Sequence, residues 1–239
     1  MFSDQSFRRL TPHELTPYPS SFYSVVTLKY LLKNREILAS HDVTVDFIPI
    51  FLGGVNHGSG NKPPWSLPAK AVYGAFDAAR TKKYHGMEEI ETPDFFPPVT
   101  LLPQRALCYI KARFSRSTFE QTWQLLMRAM WIPPHVNISI PESLQEVLRG
   151  TNLFSEKEVE QIMQAAGEKE WKDKLMANTK KALDLGAFGA PWSWVRNAEG
   201  KEEPFFGSDR FHFMWEFLGL PWQDIAVLPK GTEKGRAKL

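Results

Sequence analysis

The stretch GSGNKPPW, residues 58–65, decides how the chain is read. Two glycines, an amide, a lysine and two prolines could cradle a phosphate, make an ordinary turn, or grip some other anion. A nucleotide-binding P-loop needs its lysine followed by Ser or Thr to hold a metal, and then a helix start. Here Lys62 is followed by Pro63. The phosphate cradle is therefore rejected, and a turn or a grip on a different anion remains.

Upstream, VTVDFIPI (residues 43–50) is rich in β-branched residues and bounded by His41-Asp42 and Gly53-Gly54, which predicts a strand. Before it, the apolar positions Val25, Val26, Leu28, Leu31, Leu32, Ile37 and Leu38 predict one buried helix over 22–39, with a serine as its cap. Residues 1–20 carry Pro12, Pro17 and Pro19 with no periodicity and read as irregular.

Downstream the texture becomes helical over 66–185. Pro68 and Pro103 sit at first turns, and Ser117 with Glu120 and Ser155 with Glu158 fit capping boxes. Phe119, Trp123, Leu126, Met127 and Met130 form one apolar face, and a long helix from about residue 168 stops at Gly186. WSWVR and EEPFF, joined by Asn197-Ala198-Glu199-Gly200, read as a hairpin, followed by an apolar helix over 208–218. The pattern is an α/β scaffold interrupted by a helical insertion.

Composition narrows the function classes. With 239 residues, 43% of them hydrophobic, the chain can bury the core of one large domain or two small ones. A net charge of +2 gives no broad attraction for nucleic acid or an anionic membrane, so any bound anion is caught locally. There is no apolar run of about 18 residues and no basic-then-apolar leader, so the expectation is a protein neither secreted nor membrane-spanning. One cysteine, Cys108, leaves no internal disulfide or CxxC pair and reads as a buried, inert thiol in a reducing compartment. The six histidines lack metal-ligand spacing, so no metal is expected. The terminal Ala237-Lys238-Leu239 is close to the Ser-Lys-Leu peroxisomal address. Peroxisomal import through its receptor is the expectation, with cytoplasmic or mitochondrial residence as alternatives.

Three short stretches remain: SSFYS (20–24), GSGNKPPW (58–65) and AFGAP with FFGSDR (187–191 and 205–210). Taken singly they read as an N-cap, a turn and a helix cap. Together, through SGNKPP, LGAFG-P and FGSDR in this order, nearly the whole chain from Ser21 resembles the kappa-class glutathione transferases. These are thioredoxin-like proteins with an all-helical insertion, related to DsbA-type oxidoreductases and 2-hydroxychromene-2-carboxylate isomerases. The resemblance implies a discontinuous thioredoxin-like domain (21–65 and 186–228) around a helical domain (66–185), with an irregular segment at 1–20 and a tail at 229–239.

The resemblance also implies roles. Ser21 stands at the first serine of the family's Ser-Pro-Tyr-Ser turn, which activates the bound thiol, with Phe22 in place of proline and Tyr23 following. Asn61 stands where the family contacts glutathione, and Lys62 beside it can neutralise a carboxylate of the tripeptide. Pro191 matches the family's cis-proline, and Ala190 offers its backbone to the cysteinyl portion. Ser208 and Asp209 match the residues that hold the γ-glutamyl end. Glutathione is thus the implied co-substrate, a small electrophile the implied acceptor, and a homodimer the implied assembly.

The family's central strand, however, has FRRLTPHELTPYPS in its place, whose prolines remove ladder donors. Three readings stay open: a glutathione transferase, a glutathione-dependent isomerase, and a catalytically impaired glutathione-binding protein.

Overall fold

A computed structural model describes residues 21–223. The expectations for 1–20, 229–239 and the end of the 186–228 segment fall outside the described residues. The first helical region is two helices, α1 (Phe22–Lys33) and α2 (Arg35–Ser40), instead of the single one expected. Asn34 makes the break: its side-chain amide donates to the Tyr30 carbonyl at 2.8 Å, a local bond that competes with helix continuation. Val25, Val26, Leu28 and Leu31 are buried, as their pattern requires.

Residues 43–50 run extended, with Val43, Val45 and Phe47 buried in strand-like alternation, yet only Phe47 forms a β-bridge. The expected strand is therefore corrected to an extended segment. Helical side chains hold several of the peptide groups that a flanking strand would otherwise satisfy. Lys111 Nζ donates to the Phe47 carbonyl at 2.6 Å, Asn178 Nδ2 to the Pro49 carbonyl at 3.0 Å, and the Phe51 N–H to Thr179 Oγ1 at 2.9 Å.

Gly53 and Gly54 do not end this segment in a turn; they lie inside α3 (Leu52–Ser59). Gly54 and Gly58 pack closely against α9 (Lys169–Asp184), where a Cβ at Gly58 would lie 2.5 Å from Leu183 Cδ1 and one at Gly54 3.0 Å from Thr179 Cγ2, while Gly53 lies against the Phe51 ring. Helix α3 ends at Gly60, whose φ of 74° is the left-handed C-cap conformation. A 3₁₀ turn (Pro64–Ser66) then leads into α4 (Pro68–His85), with Pro68 at its first position.

Helices α5 (Leu101–Arg113), α6 (Arg116–Trp131), α7 (Pro141–Gly150) and α8 (Glu156–Gly167) complete the helical run up to α9. The Ser155–Glu158 capping box forms, with both reciprocal bonds. The Ser117–Glu120 box does not. Ser115 caps α6 by accepting from Thr118 N–H at 3.0 Å, and Glu120 pairs with Arg35 and Arg116. The apolar face of α6 is buried from Phe119 to Met130, around a fully enclosed Trp123. Cys108 is buried on α5, and loss of solvation pushes its thiol up to about 12.

After Gly186 the chain forms the expected hairpin, β1 (Trp192–Arg196) antiparallel to β2 (Glu202–Phe206), with Trp192 opposite Phe206. Among the described residues these two strands are the whole sheet. The last helix, α10 (Phe211–Phe217), starts later than expected, with Arg210 rather than Ser208 or Asp209 at its cap. One core joins α1, residues 43–47, α5 to α8, Val195 of β1 and α10. No helix of the described residues is long and apolar enough to cross a membrane.

Candidate active site

All nine residues singled out in the sequence line one cavity of about 1440 Å³, although they come from four separate parts of the chain. Ser21 is the N-cap residue of α1, with extended backbone (φ −123°, ψ 113°). Its carbonyl accepts from the N–H groups of Ser24 and Val25, at 3.0 and 3.2 Å. Its hydroxyl makes no cap bond and donates instead to the Ala190 carbonyl at 3.3 Å. That contact is long, so the hydroxyl can be redirected to a stronger acceptor in the cavity at small cost. The first-turn N–H groups add the partial positive charge of a helix N-terminus.

The peptide between Ala190 and Pro191 is cis. Opposite it, Asn61 ties the GSGNKPPW loop to the same stretch of chain: its side-chain amide donates to the Phe188 carbonyl at 2.6 Å and its Oδ1 accepts the Lys62 N–H at 2.9 Å. The loop is thus a turn whose amide anchors it at the cavity edge, with Asn61 and Lys62 exposed to solvent.

Ser208 is buried and Asp209 exposed, just after the left-handed Gly207 (φ 95°). A Cβ at Gly207 would fall 2.7 Å from Asp209 Oδ1 and push that exposed carboxylate aside, and the left-handed backbone itself favours glycine there. The Gly207 N–H donates to the Pro191 carbonyl at 3.1 Å, which joins the Asp209 turn to the cis-proline turn.

Sequence reasoning missed two features. Tyr23 donates its hydroxyl to Asp77 Oδ2 of α4 at 2.5 Å. Burial first, and then the Asp77 carboxylate, push the phenol well above its ordinary range. Nothing local marks Asp77, which looks like one more acid on a charged helix. Phe22, Trp131, Phe96 and Trp65 also form a chain of ring contacts, with centroids 6.5, 5.7 and 5.1 Å apart in turn. It gives the cavity an aromatic wall that ends in the half-exposed Trp65 of the GSGNKPPW loop. Among the described residues no cluster of His, Cys, Asp and Glu could hold a metal ion.

Residues 23–219 match the family model of the DSBA-like thioredoxin domain. The chain is 34% identical over 189 residues to glutathione S-transferase kappa 1 of Caenorhabditis elegans, covering 75% of this chain and 79% of that protein. It is 27% identical over 210 residues to human glutathione S-transferase kappa 1, covering 84% and 90%. Two solved structures share the fold at low identity. One is a 2-hydroxychromene-2-carboxylate isomerase (TM-score 0.66, 17% identity, 85% of this chain and 90% of that one). The other is a probable DsbA oxidoreductase from Streptomyces coelicolor (TM-score 0.64, 16% identity, 87% and 90%). The fold is thus that of a DSBA-like thioredoxin protein, and the chain belongs to that family and, within it, to the kappa-class glutathione S-transferases.

Proposed function

We propose that this protein is a glutathione transferase that activates the glutathione thiol at Ser21 for attack on a small electrophile. The observation that carries the proposal is the convergence of the nine residues on one cavity, with the Ser21 hydroxyl free of any capping duty. A hydroxyl donor and a helix N-terminus both favour thiolate over thiol. The thiol proton leaves to solvent, and the sulfur lone pair then forms the bond to the electrophilic carbon as its leaving group departs. In this reading Ala190 pairs with the cysteinyl backbone beside cis-Pro191, and Phe22 and Tyr23 line the sulfur's side. Lys62 neutralises a tripeptide carboxylate, and Ser208 and Asp209 hold the γ-glutamyl ammonium and carboxylate. The aromatic wall offers the second substrate an apolar face on which a planar ring can stack. The relatives' names favour transfer over isomerisation, because the isomerase likeness, at 17% identity, speaks for the fold alone.

Calorimetric titration with glutathione tests the site. Asp209→Ala removes a charged contact, and Asn61→Ala removes the loop's anchor on Phe188 together with a ligand contact. Each change should weaken binding by about 1–3 kcal/mol, which is roughly five- to 150-fold in Kd. Unchanged affinity in folded variants would move the site elsewhere.

The same reading carries a homodimer and import into peroxisomes. A homodimer is supported by family membership and by exposed apolar residues of α4 such as Val72 and Phe76, and light scattering measures it. The import signal Ala237-Lys238-Leu239 lies outside the described residues. A fluorescent protein carrying only GTEKGRAKL should enter peroxisomes; cytosolic fluorescence would contradict the assignment.

A further inference from the structure

The four rings of the aromatic wall differ in what they have left to offer a ligand. Trp131 is buried, whereas Trp65 keeps 48% of its surface exposed. Phe96 meets Trp65 at 71° between the ring planes, so this edge contact covers at most one face of the indole. The backbone beneath Trp65 is set in advance. Pro63 and Pro64 fix φ at two successive positions, and the Ser66 N–H and hydroxyl both donate to the Pro63 carbonyl, at 2.9 and 2.7 Å, which closes the 3₁₀ turn that carries the indole. A large apolar face held at a cavity by a rigid turn loses little entropy when a ligand covers it. Its place along the wall matters as well. Phe22 follows Ser21 directly in the chain, so the Phe22 end lies nearest the reacting sulfur, and Trp65 stands three ring contacts away from it. Successive wall rings are 5.1–6.5 Å apart, so a single ring held at the sulfur spans the near end of the wall and leaves Trp65 uncovered.

We propose that Trp65 sets the specificity of the acceptor site, and that the acceptors it selects are fused-ring aromatic electrophiles, whose outer rings stack on the exposed indole face while the reacting carbon lies at the sulfur. The proposal rests on the glutathione transferase reading above and narrows its second substrate from a small electrophile to a polycyclic one. Stacking of this kind acts on the substrate and the transition state alike, because the outer rings do not change during the reaction. Its effect therefore belongs mainly in KM and grows with the number of fused rings.

The test compares the full-length protein with its Trp65→Ala and Trp65→Phe variants on three acceptors that share one leaving group: benzyl chloride, (chloromethyl)naphthalene and (chloromethyl)anthracene. In each, the glutathione sulfur forms its bond to the chloromethyl carbon as the carbon–chlorine bond breaks and chloride departs, so only the ring count changes. A second readout is the affinity for anthracenemethanol, which has no group the thiolate can displace, measured by fluorescence titration without glutathione. Trp65→Ala should lower kcat/KM about tenfold with the anthracene, about threefold with the naphthalene and least with benzyl chloride, mostly through KM, and should weaken binding of the alcohol about five- to tenfold. Trp65→Phe, which keeps a smaller face, should fall between. Losses of equal size with all three chlorides, or an anthracene rate that Trp65→Ala leaves unaltered, would overturn the assignment, as would equal affinity of the natural and variant proteins for the alcohol. Should Trp65→Ala fail to fold, the same outcomes are read from Trp65→Phe. A natural protein that does not bind glutathione in calorimetry sinks the transferase reading, while the alcohol titration still decides whether Trp65 holds fused rings.

Discussion

Ser21→Ala should lower the transferase rate about tenfold or more at neutral pH while leaving glutathione binding nearly unchanged. The change removes one hydroxyl donor from the end of α1 and little else. A free thiol with pKa ~8.5 is mostly protonated at pH 7, so each unit of depression supplied by the site raises the thiolate fraction nearly tenfold at first. The sign follows: the site favours the charged form, so the deficit of the variant is largest below the free thiol's pKa and shrinks above it, where glutathione ionises unaided. A mere helix-capping serine predicts the opposite pair of results, a stability loss of about 1 kcal/mol with an unaltered rate. Because the Ser21 side chain makes no cap bond, thermal melts of the two proteins should nearly coincide. A matched rate profile from pH 6 to 9 would refute the role.

The largest effect on stability is expected at Phe47→Ala, about 3–5 kcal/mol by denaturant unfolding. Phe47 is fully enclosed, its ring lies edge-on to Trp123 at 6.3 Å, and its carbonyl takes the Lys111 ammonium. It thus anchors the segment over residues 43–50 from both its side chain and its backbone. Phe47→Leu conserves most of the volume and should cost well under half as much. A loss below 1 kcal/mol for the alanine variant would show that the segment contributes little to the core.

Where the fold was legible in the sequence, a local pattern had one physical solution. The two β-type runs and the left-handed Gly200 between them allow little but the hairpin, and the Ser155–Glu158 box closes within its own turn. Where it was not, a distant partner decided. Gly53 and Gly54 look like a strand stop, and only the approach of Thr179 to Gly54 and of Leu183 to Gly58 shows glycines inside α3 serving a helix contact. Residues 43–50 alternate as a strand does, but Lys111 and Asn178, from far along the chain, hold the Phe47 and Pro49 carbonyls that a strand ladder would pair. Ser117 matches a capping box on paper, yet Ser115 lies nearer the true helix start, and buried Glu120 is drawn to Arg35 and Arg116.

The candidate site divides in the same way. Its nine residues were named through family likeness carried by short motifs; no spacing along the chain brings Asn61 beside Phe188 or Ser21 beside Ala190. Asp77 carries no motif, and its pairing with Tyr23 spans 54 positions of sequence. The aromatic wall was hidden for a related reason: in a chain with eight tryptophans, the few that line a cavity look no different from those that fill the core.

Thiol activation is the central claim, and ultraviolet absorbance of the thiolate in the complex of the natural protein with glutathione, followed as pH is varied, tests it most directly. The account predicts a bound-thiol pKa clearly below the free value of ~8.5, so that thiolate absorbance persists at neutral pH. Saturable glutathione binding with an unshifted thiol pKa would contradict it and leave a protein that holds the tripeptide without activating it.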